Sequence, residues 1–150
     1  FNYRMSDIHC GLGESQLSRL YENVSARQAI AAYYDSEFLS VDGITHLVND
    51  ERNSNAYHLY ISVIDFSVFT VDRAKLFAAL RAENIGVNVH YIPVSWHPMY
   101  AEIGFERGSC PNGEAAYEQI ITLPLWFGMS DQDAEDVVTA VKKVARAYRR

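Results

Sequence analysis

A chain of 150 residues is long enough for one domain with a sizeable core. Hydrophobic residues make up 49% and charged residues 21%, the balance of an ordinary globular domain. A net charge of −6 argues against a nucleic-acid partner, and no run approaches the ~18 consecutive apolar residues of a membrane span.

Ser6 followed by Asp7 reads as a helix N-cap with a carboxylate in the first turn. Ile8, Leu12, Leu17, Leu20 and Val24 fall on one helical face. Gly11 and Gly13 each cost a helix about 1 kcal/mol relative to Ala, so they predict close packing against another backbone. The pattern resumes through Ala26, Ile30, Tyr33 and Tyr34 to Phe38, which makes residues 1–38 one long or bent helical arm. The turn-rich stretch 42–55 predicts a loop with room for one short strand, and Tyr57–Phe66 predicts a strand. Thr70 is placed to cap a helix whose face is Leu76, Phe77 and Leu80, with Gly86 as its stop and residues 86–92 as a second strand.

Pro93 and Pro98 break regular structure across 93–100, and 104–113 is a glycine-containing loop before a short helix at 112–120. Leu123–Trp126 is apolar and interrupted by Pro124, so it reads as an edge strand or extended link. Ser130 caps the last helix, with Asp133 as the reciprocal acid and Val137, Val141, Val144 and Tyr148 as the buried stripe. Lys142, Lys143, Arg146, Arg149 and Arg150 suit its negative C-terminal end. The order of elements predicts a single α+β domain over 1–150, with a helical arm at 1–38 and a compact α+β part at 56–150 that lays helices on a small sheet.

Two stretches are candidate sites. Asn2-Tyr3-Arg4-Met5 stands before a helix N-terminus, where Asn and Arg suit a phosphate or carboxylate; a plain surface loop fits the same residues. His90 to Tyr100 gathers two His, two Tyr, a Trp and two Pro as the chain leaves a strand, a place favoured for ligand binding. An aromatic loop packed for its own sake is the competing reading. A metal needs more ligands than His90 and His97 supply. His9, His46 and His58 have no evident partner in sequence, and Cys110-Pro111 reads as a loop-to-helix junction. Two cysteines, Cys10 and Cys110, are too few for a disulfide scaffold, so a reducing cytoplasm is expected. The start at Phe1, without an initiating Met, predicts a piece of a longer protein.

Taken in order, these segments resemble the DegT/DnrJ/StrS family of sugar aminotransferases, which use pyridoxal 5'-phosphate (PLP). The resemblance is carried by Asn2 to Ile8, then Leu12-Gly13 and Gln16-Leu17, then Arg27 to Tyr34. Val89-His90-Tyr91-Ile92-Pro93 follows, continuing to Pro98 and Tyr100. Cys110-Pro111-Asn112 with Glu114, Leu123-Pro124-Leu125, and Met129-Ser130-Asp131 with Asp133 close the set. The loop is also similar to that of enzymes making 4-amino-4,6-dideoxy nucleotide sugars, including the pseudaminic-acid branch.

The resemblance implies the small C-terminal domain of a fold-type I PLP enzyme, with the catalytic lysine outside this chain and therefore no catalytic residue within it. It implies that Asn2 binds the cofactor phosphate of the partner subunit in a homodimer. It places Tyr3 and Arg4 at the entrance and His90, Tyr91, His97 and Tyr100 in the nucleotide-sugar pocket. Ser95 stands where the family often has His, a departure that puts a substrate contact at that position in doubt. The implied activity transfers an amino group from glutamate to a keto nucleotide-sugar in polysaccharide or surface-glycan biosynthesis, in the cytoplasm, with the isolated chain inactive. The alternatives are a regulatory α+β module that senses a small ligand, and a relative that binds PLP as a regulator without catalysis. A domain cut from its partners is further expected to expose apolar side chains around Ile8, Leu12 and the 90–100 loop.

Overall fold

A computed structural model describes residues 3–50 and 52–150; Asn2 lies outside the described residues. The first helix, α1, spans Asp7–Leu17, and the Ser6 hydroxyl accepts from the His9 N–H at its start. A turn at Ser18 and Arg19 separates it from α2, Leu20–Phe38. The Ser18 N–H donates to the Glu14 carbonyl, the Arg19 N–H donates to the Gln16 carbonyl, and the Ser18 hydroxyl donates to the Ser15 carbonyl, which ends the first helix. The arm is therefore two helices. They differ in burial: α2 sends Ala31, Tyr34 and Phe38 into the core, whereas α1 buries none of its residues. Outside their own helix backbone, Gly11 and Gly13 have nothing within 4 Å of where a Cβ would stand, so the close backbone contact predicted for them is not made among the described residues.

Three antiparallel strands form the sheet in the order β1-β2-β3, with β1 at Ile44–His46, β2 at Tyr60–Ile64 and β3 at Ile120–Leu123. Ile44 pairs with Ile64 on one side of the central strand, and Tyr60 pairs with Leu123 on the other. Along β2 the residues Tyr60, Ser62 and Ile64 are buried and those between them are half-buried, the alternation a one-sided strand requires. Buried Ser62 is satisfied by donating its hydroxyl to the Ile121 carbonyl at 2.6 Å. All four residues of β3 are buried.

Helix α3, Arg73–Ala82, is capped by Asp72, whose carboxylate accepts from the Lys75 N–H at 2.9 Å. The predicted cap, Thr70, instead donates its hydroxyl and its N–H to the Tyr148 carbonyl, tying this corner to the C-terminus. The helix stops before Gly86, because Asn84 takes the left-handed conformation with φ of 64°. Residues 86–92 do not form a full strand. Val87 is buried and Asn88 bridges Thr122, after which the Asn88 side chain accepts from the Val89 N–H and the ladder ends.

The short α4, Pro98–Ala101, is followed by α5, Pro111–Gln119, which runs directly into β3. The last helix, α6, spans Asp131–Tyr148 and has the full capping box between Ser130 and Asp133. Its stripe is wider than expected: Ala134, Val138, Ala140 and Ala145 join Val137, Val141 and Val144 in the core, while Tyr148 is half-buried. Lys142 reaches back to Glu37 on α2 at 2.5 Å, and Lys143 to Glu83 beyond α3 at 2.6 Å. An aromatic cluster of Tyr34, Phe38 and Tyr60 joins α2 to the sheet, with the rings of Tyr34 and Tyr60 edge-on at 5.0 Å. The Tyr34 hydroxyl donates to the Pro124 carbonyl at 2.9 Å and Tyr60 to Asp35 at 2.7 Å. Burial pushes both phenol pKa values up, and Asp35 adds to the effect at Tyr60.

Candidate functional site

The described surface carries an open groove of about 830 Å³ at the edge of β3. His58, Asn88, His90, Thr122, Trp126 and Lys143 are among its lining residues. His90 is the sequence candidate best fixed there. Its Nδ1 is 3.0 Å from the Thr122 Oγ1, and its Nε2 is 3.2 Å from the Asn88 amide nitrogen. Tyr91 packs edge-on against the His90 ring, with centroids 4.6 Å apart, and is itself 66% exposed. Two backbone bonds between Asn88 and Thr122 pin the base of this unit to β3.

Beyond Pro93 the chain makes one 3₁₀ turn at Val94–Trp96. It is held from outside by a stack of cations and rings. The Arg107 guanidinium lies over the Trp96 ring at 3.9 Å, Trp96 meets Tyr117 edge-on at 5.4 Å, and Arg73 lies over Tyr117 at 4.4 Å. Arg73 also donates to the Tyr117 carbonyl, so α3 and α5 are joined through one side chain. The Glu114 carboxylate accepts from the Gly108 N–H at 2.8 Å and from the Cys110 N–H at 3.2 Å. Its pKa lies below the ordinary carboxylate value, first through the Gly108 N–H, with the Cys110 N–H, the Trp96 indole and Arg107 adding to it. The 104–113 stretch, a plain loop by sequence, is thus tied to α5 by one acid.

His97 occupies the N-cap position of α4 without a side-chain cap bond and is exposed. Tyr100 packs edge-on against Phe105 at 5.8 Å. Tyr3 and Arg4 stand exposed in the segment before α1. The structure therefore joins His90 and Tyr91 into one packed unit and seats His97 and Tyr100 further along the same segment. Ser95, in the Val94–Trp96 turn of this segment, is buried, which removes it from the exposed surface. His46, without a partner by sequence, lies 3.2 Å from Asp35. Sequence reasoning missed Asn88 and Thr122. Asn88 had a usable signal, since residues two apart in an extended chain share a face with His90; Thr122 had none. Among the described residues no cluster of three or more His, Cys, Asp or Glu is gathered as a metal site would need, and no helix is long and apolar enough to cross a membrane.

Residues 1–142 match the DegT/DnrJ/EryC1/StrS aminotransferase family. The chain belongs to that family. Spore coat polysaccharide biosynthesis protein SpsC of Bacillus subtilis is 36% identical over 149 residues, covering 97% of this chain and 38% of SpsC. A UDP-4-amino-4,6-dideoxy-N-acetyl-beta-L-altrosamine transaminase of Campylobacter jejuni is 30% identical over 152 residues, covering 99% of this chain and 40% of the transaminase. Among solved structures, the proposed sugar aminotransferase Spr1654 of Streptococcus pneumoniae in its PLP form superposes with a TM-score of 0.85 at 30% identity, covering 96% of this chain and 36% of Spr1654. Spr1654 is also known in a PMP form, so family members work with this cofactor. The α+β architecture described here is that of a fold-type I aminotransferase, and the chain spans about two fifths of the length of the curated relatives it matches.

This chain has three lysines, and none of them is buried in this structure. A lysine in a Schiff-base role toward PLP is desolvated in a pocket. Lys75 is exposed on α3, Lys142 is paired with Glu37, and Lys143 at the groove is paired with Glu83.

Proposed function

We propose that this chain is the substrate-side C-terminal domain of a PLP-dependent aminotransferase that moves an amino group from glutamate to a keto nucleotide-sugar. The observation that carries this reading is the family match running through 1–142, which includes the groove edge, the His90–Tyr91 unit and the segment to Tyr100. The three lysines do not suit the cofactor, so on this reading the PLP lysine belongs to the remainder of a longer protein, and this chain alone transfers no amino group. PLP supplies the electron sink for the amino transfer when bound. This chain supplies shape and polar contacts for the sugar.

Within the proposal, Tyr91 offers an exposed phenol and an apolar ring beside the groove-lining His90, which suits the mixed apolar and hydroxylated face of a deoxysugar. His97 and Tyr100 extend that surface. Tyr3 and Arg4 mark the entrance, and Arg4 suits the diphosphate as a planar donor. Asn2 reaches the cofactor phosphate of the partner subunit, so the parent works as a homodimer, in the cytoplasm. The product serves polysaccharide or surface-glycan synthesis.

The test is amino transfer by the full-length protein from glutamate to a UDP-4-keto-6-deoxyhexose, followed as 2-oxoglutarate release. Stoichiometric 2-oxoglutarate with an aminated sugar nucleotide supports the proposal. A full-length protein that binds PLP but aminates none of a panel of keto nucleotide-sugars contradicts it.

A further inference from the structure

The hydrogen bonds around His90 have a direction, and that direction assigns its proton. The Asn88 Oδ1 accepts from the Val89 backbone N–H at 2.8 Å, which orients the amide. The amide nitrogen therefore faces the His90 Nε2 at 3.2 Å as a donor, and Nε2 must accept. The ring proton then sits on Nδ1 and is donated to the Thr122 Oγ1 at 3.0 Å. Thr122 is only 4% exposed and lies in β3, where its backbone N–H and carbonyl both bond Asn88. The chain of donors runs from Val89 through Asn88 and His90 to Thr122.

From this geometry we infer that Asn88 and Thr122 are positioning residues that act through His90. They hold it as the Nδ1–H tautomer, so that its ring is a fixed wall for Tyr91 and not a proton carrier. Both ring nitrogens are spent inside the clasp, which leaves neither lone pair nor proton for a ligand. What the clasp delivers is the Tyr91 ring, seated edge-on at 4.6 Å on the groove-lining His90 and exposed. The ionisable groups lining the same groove are His58, Glu83, Asp133, Asp136 and Lys143, and neither nitrogen of His90 bonds any of them. The inference rests on the sugar-binding reading above for its kinetic consequence, and on the hydrogen bonds alone for the tautomer.

The experiment uses full-length protein carrying ¹⁵N-labelled histidine. Its NMR spectrum assigns the His90 tautomer directly, whatever reaction the protein performs. The expected result is a protonated Nδ1 and an unprotonated Nε2. Asn88→Asp replaces the amide donor with an acceptor, so the proton is expected to appear on Nε2 in that variant. If the unaltered protein shows Nε2–H, or equal occupancy of both tautomers, the clasp does not exist in solution and the inference falls. A kinetic arm uses Thr122→Val and Thr122→Ser, with the keto nucleotide-sugar as substrate. Loss of the acceptor in Thr122→Val is expected to raise KM about tenfold with little change in kcat, and Thr122→Ser is expected to restore it. A fall in kcat at unchanged KM in Thr122→Val and in His90→Gln makes His90 a proton-transfer group and overturns the positioning role. Nδ1–H in a protein that aminates no sugar leaves the clasp standing and removes the aminotransferase reading instead.

Discussion

Helices α1 and α6 begin alike and end in different surroundings. Each starts at a serine whose hydroxyl accepts a backbone N–H, and each has an acid in its first turn. Helix α6 buries seven residues against the sheet, α2 and α3, whereas α1 buries none and leaves Ile8 83% exposed. Leu12 and Leu17 are exposed with it. Capping and spacing determine that a helix forms and which face is apolar. They do not determine whether the surface that covers the face belongs to the same 150 residues. Among the described residues nothing buries α1, and on the proposed function the rest of a longer protein is what covers it.

The contrast can be tested by stability. Ile121 is fully buried in β3, and Ile121→Ala is expected to cost ~2–5 kcal/mol in urea unfolding. Ile8→Ala in the same chain is expected to change stability by less than about 0.5 kcal/mol, as an exposed position does. Similar costs for the two would mean that α1 packs on this chain in solution.

A smaller effect separates the two caps. Ser130→Ala removes the capping box of a packed helix and is expected to cost about 1 kcal/mol, read as a lower thermal midpoint. Ser6→Ala is expected to lower α1 helicity in circular dichroism while leaving that midpoint in place, because α1 contributes no buried residue to the cooperative unit.

The smallest effect is in acid. Asp133 and Glu114 both have pKa values held below ordinary, Asp133 first by the Ser130 hydroxyl and Glu114 first by the Gly108 N–H. A depressed folded pKa means that the stabilisation is complete above the unfolded value, roughly pH 4, and is lost as pH falls through the folded one. The unaltered chain is therefore expected to lose stability as pH drops below about 4. Glu114→Gln is expected to flatten part of that fall, and the loss should register as faster amide exchange at Gly108 and Cys110. An acid profile that Glu114→Gln leaves unaltered would show that the carboxylate does not hold the 104–113 segment.

What was legible in the sequence was what neighbours in sequence decide. The Ser130–Asp133 box, the valine stripe of α6 and the central strand are local patterns, and the structure keeps them. Thr70 and Asp72 were both chemically able to cap α3. The choice fell to Asp72 because the Tyr148 carbonyl, 78 residues away, takes Thr70. The 86–92 stretch has strand-forming residues, but Asn88 turns its side chain onto the next N–H and stops the ladder after one bridge. His90 and Tyr91 were visible as an aromatic pair leaving the sheet, while the partner that orients His90 lies 32 residues on and carries no local signal. The stack of Arg73, Tyr117, Trp96 and Arg107 is hidden for the same reason.

On the proposed function, this chain carries the sugar-facing side of an aminotransferase and the cofactor lysine lies in the rest of the protein. Absorbance after PLP addition, followed by borohydride reduction and peptide mapping, tests it most directly when run on this chain and on the full-length protein. A lysine-bound PLP band is expected in the full-length protein only, with the reduced label on a lysine outside these 150 residues. A stable band on this chain, with label at Lys75, Lys142 or Lys143, would contradict it, as would a full-length protein that forms no lysine adduct at all.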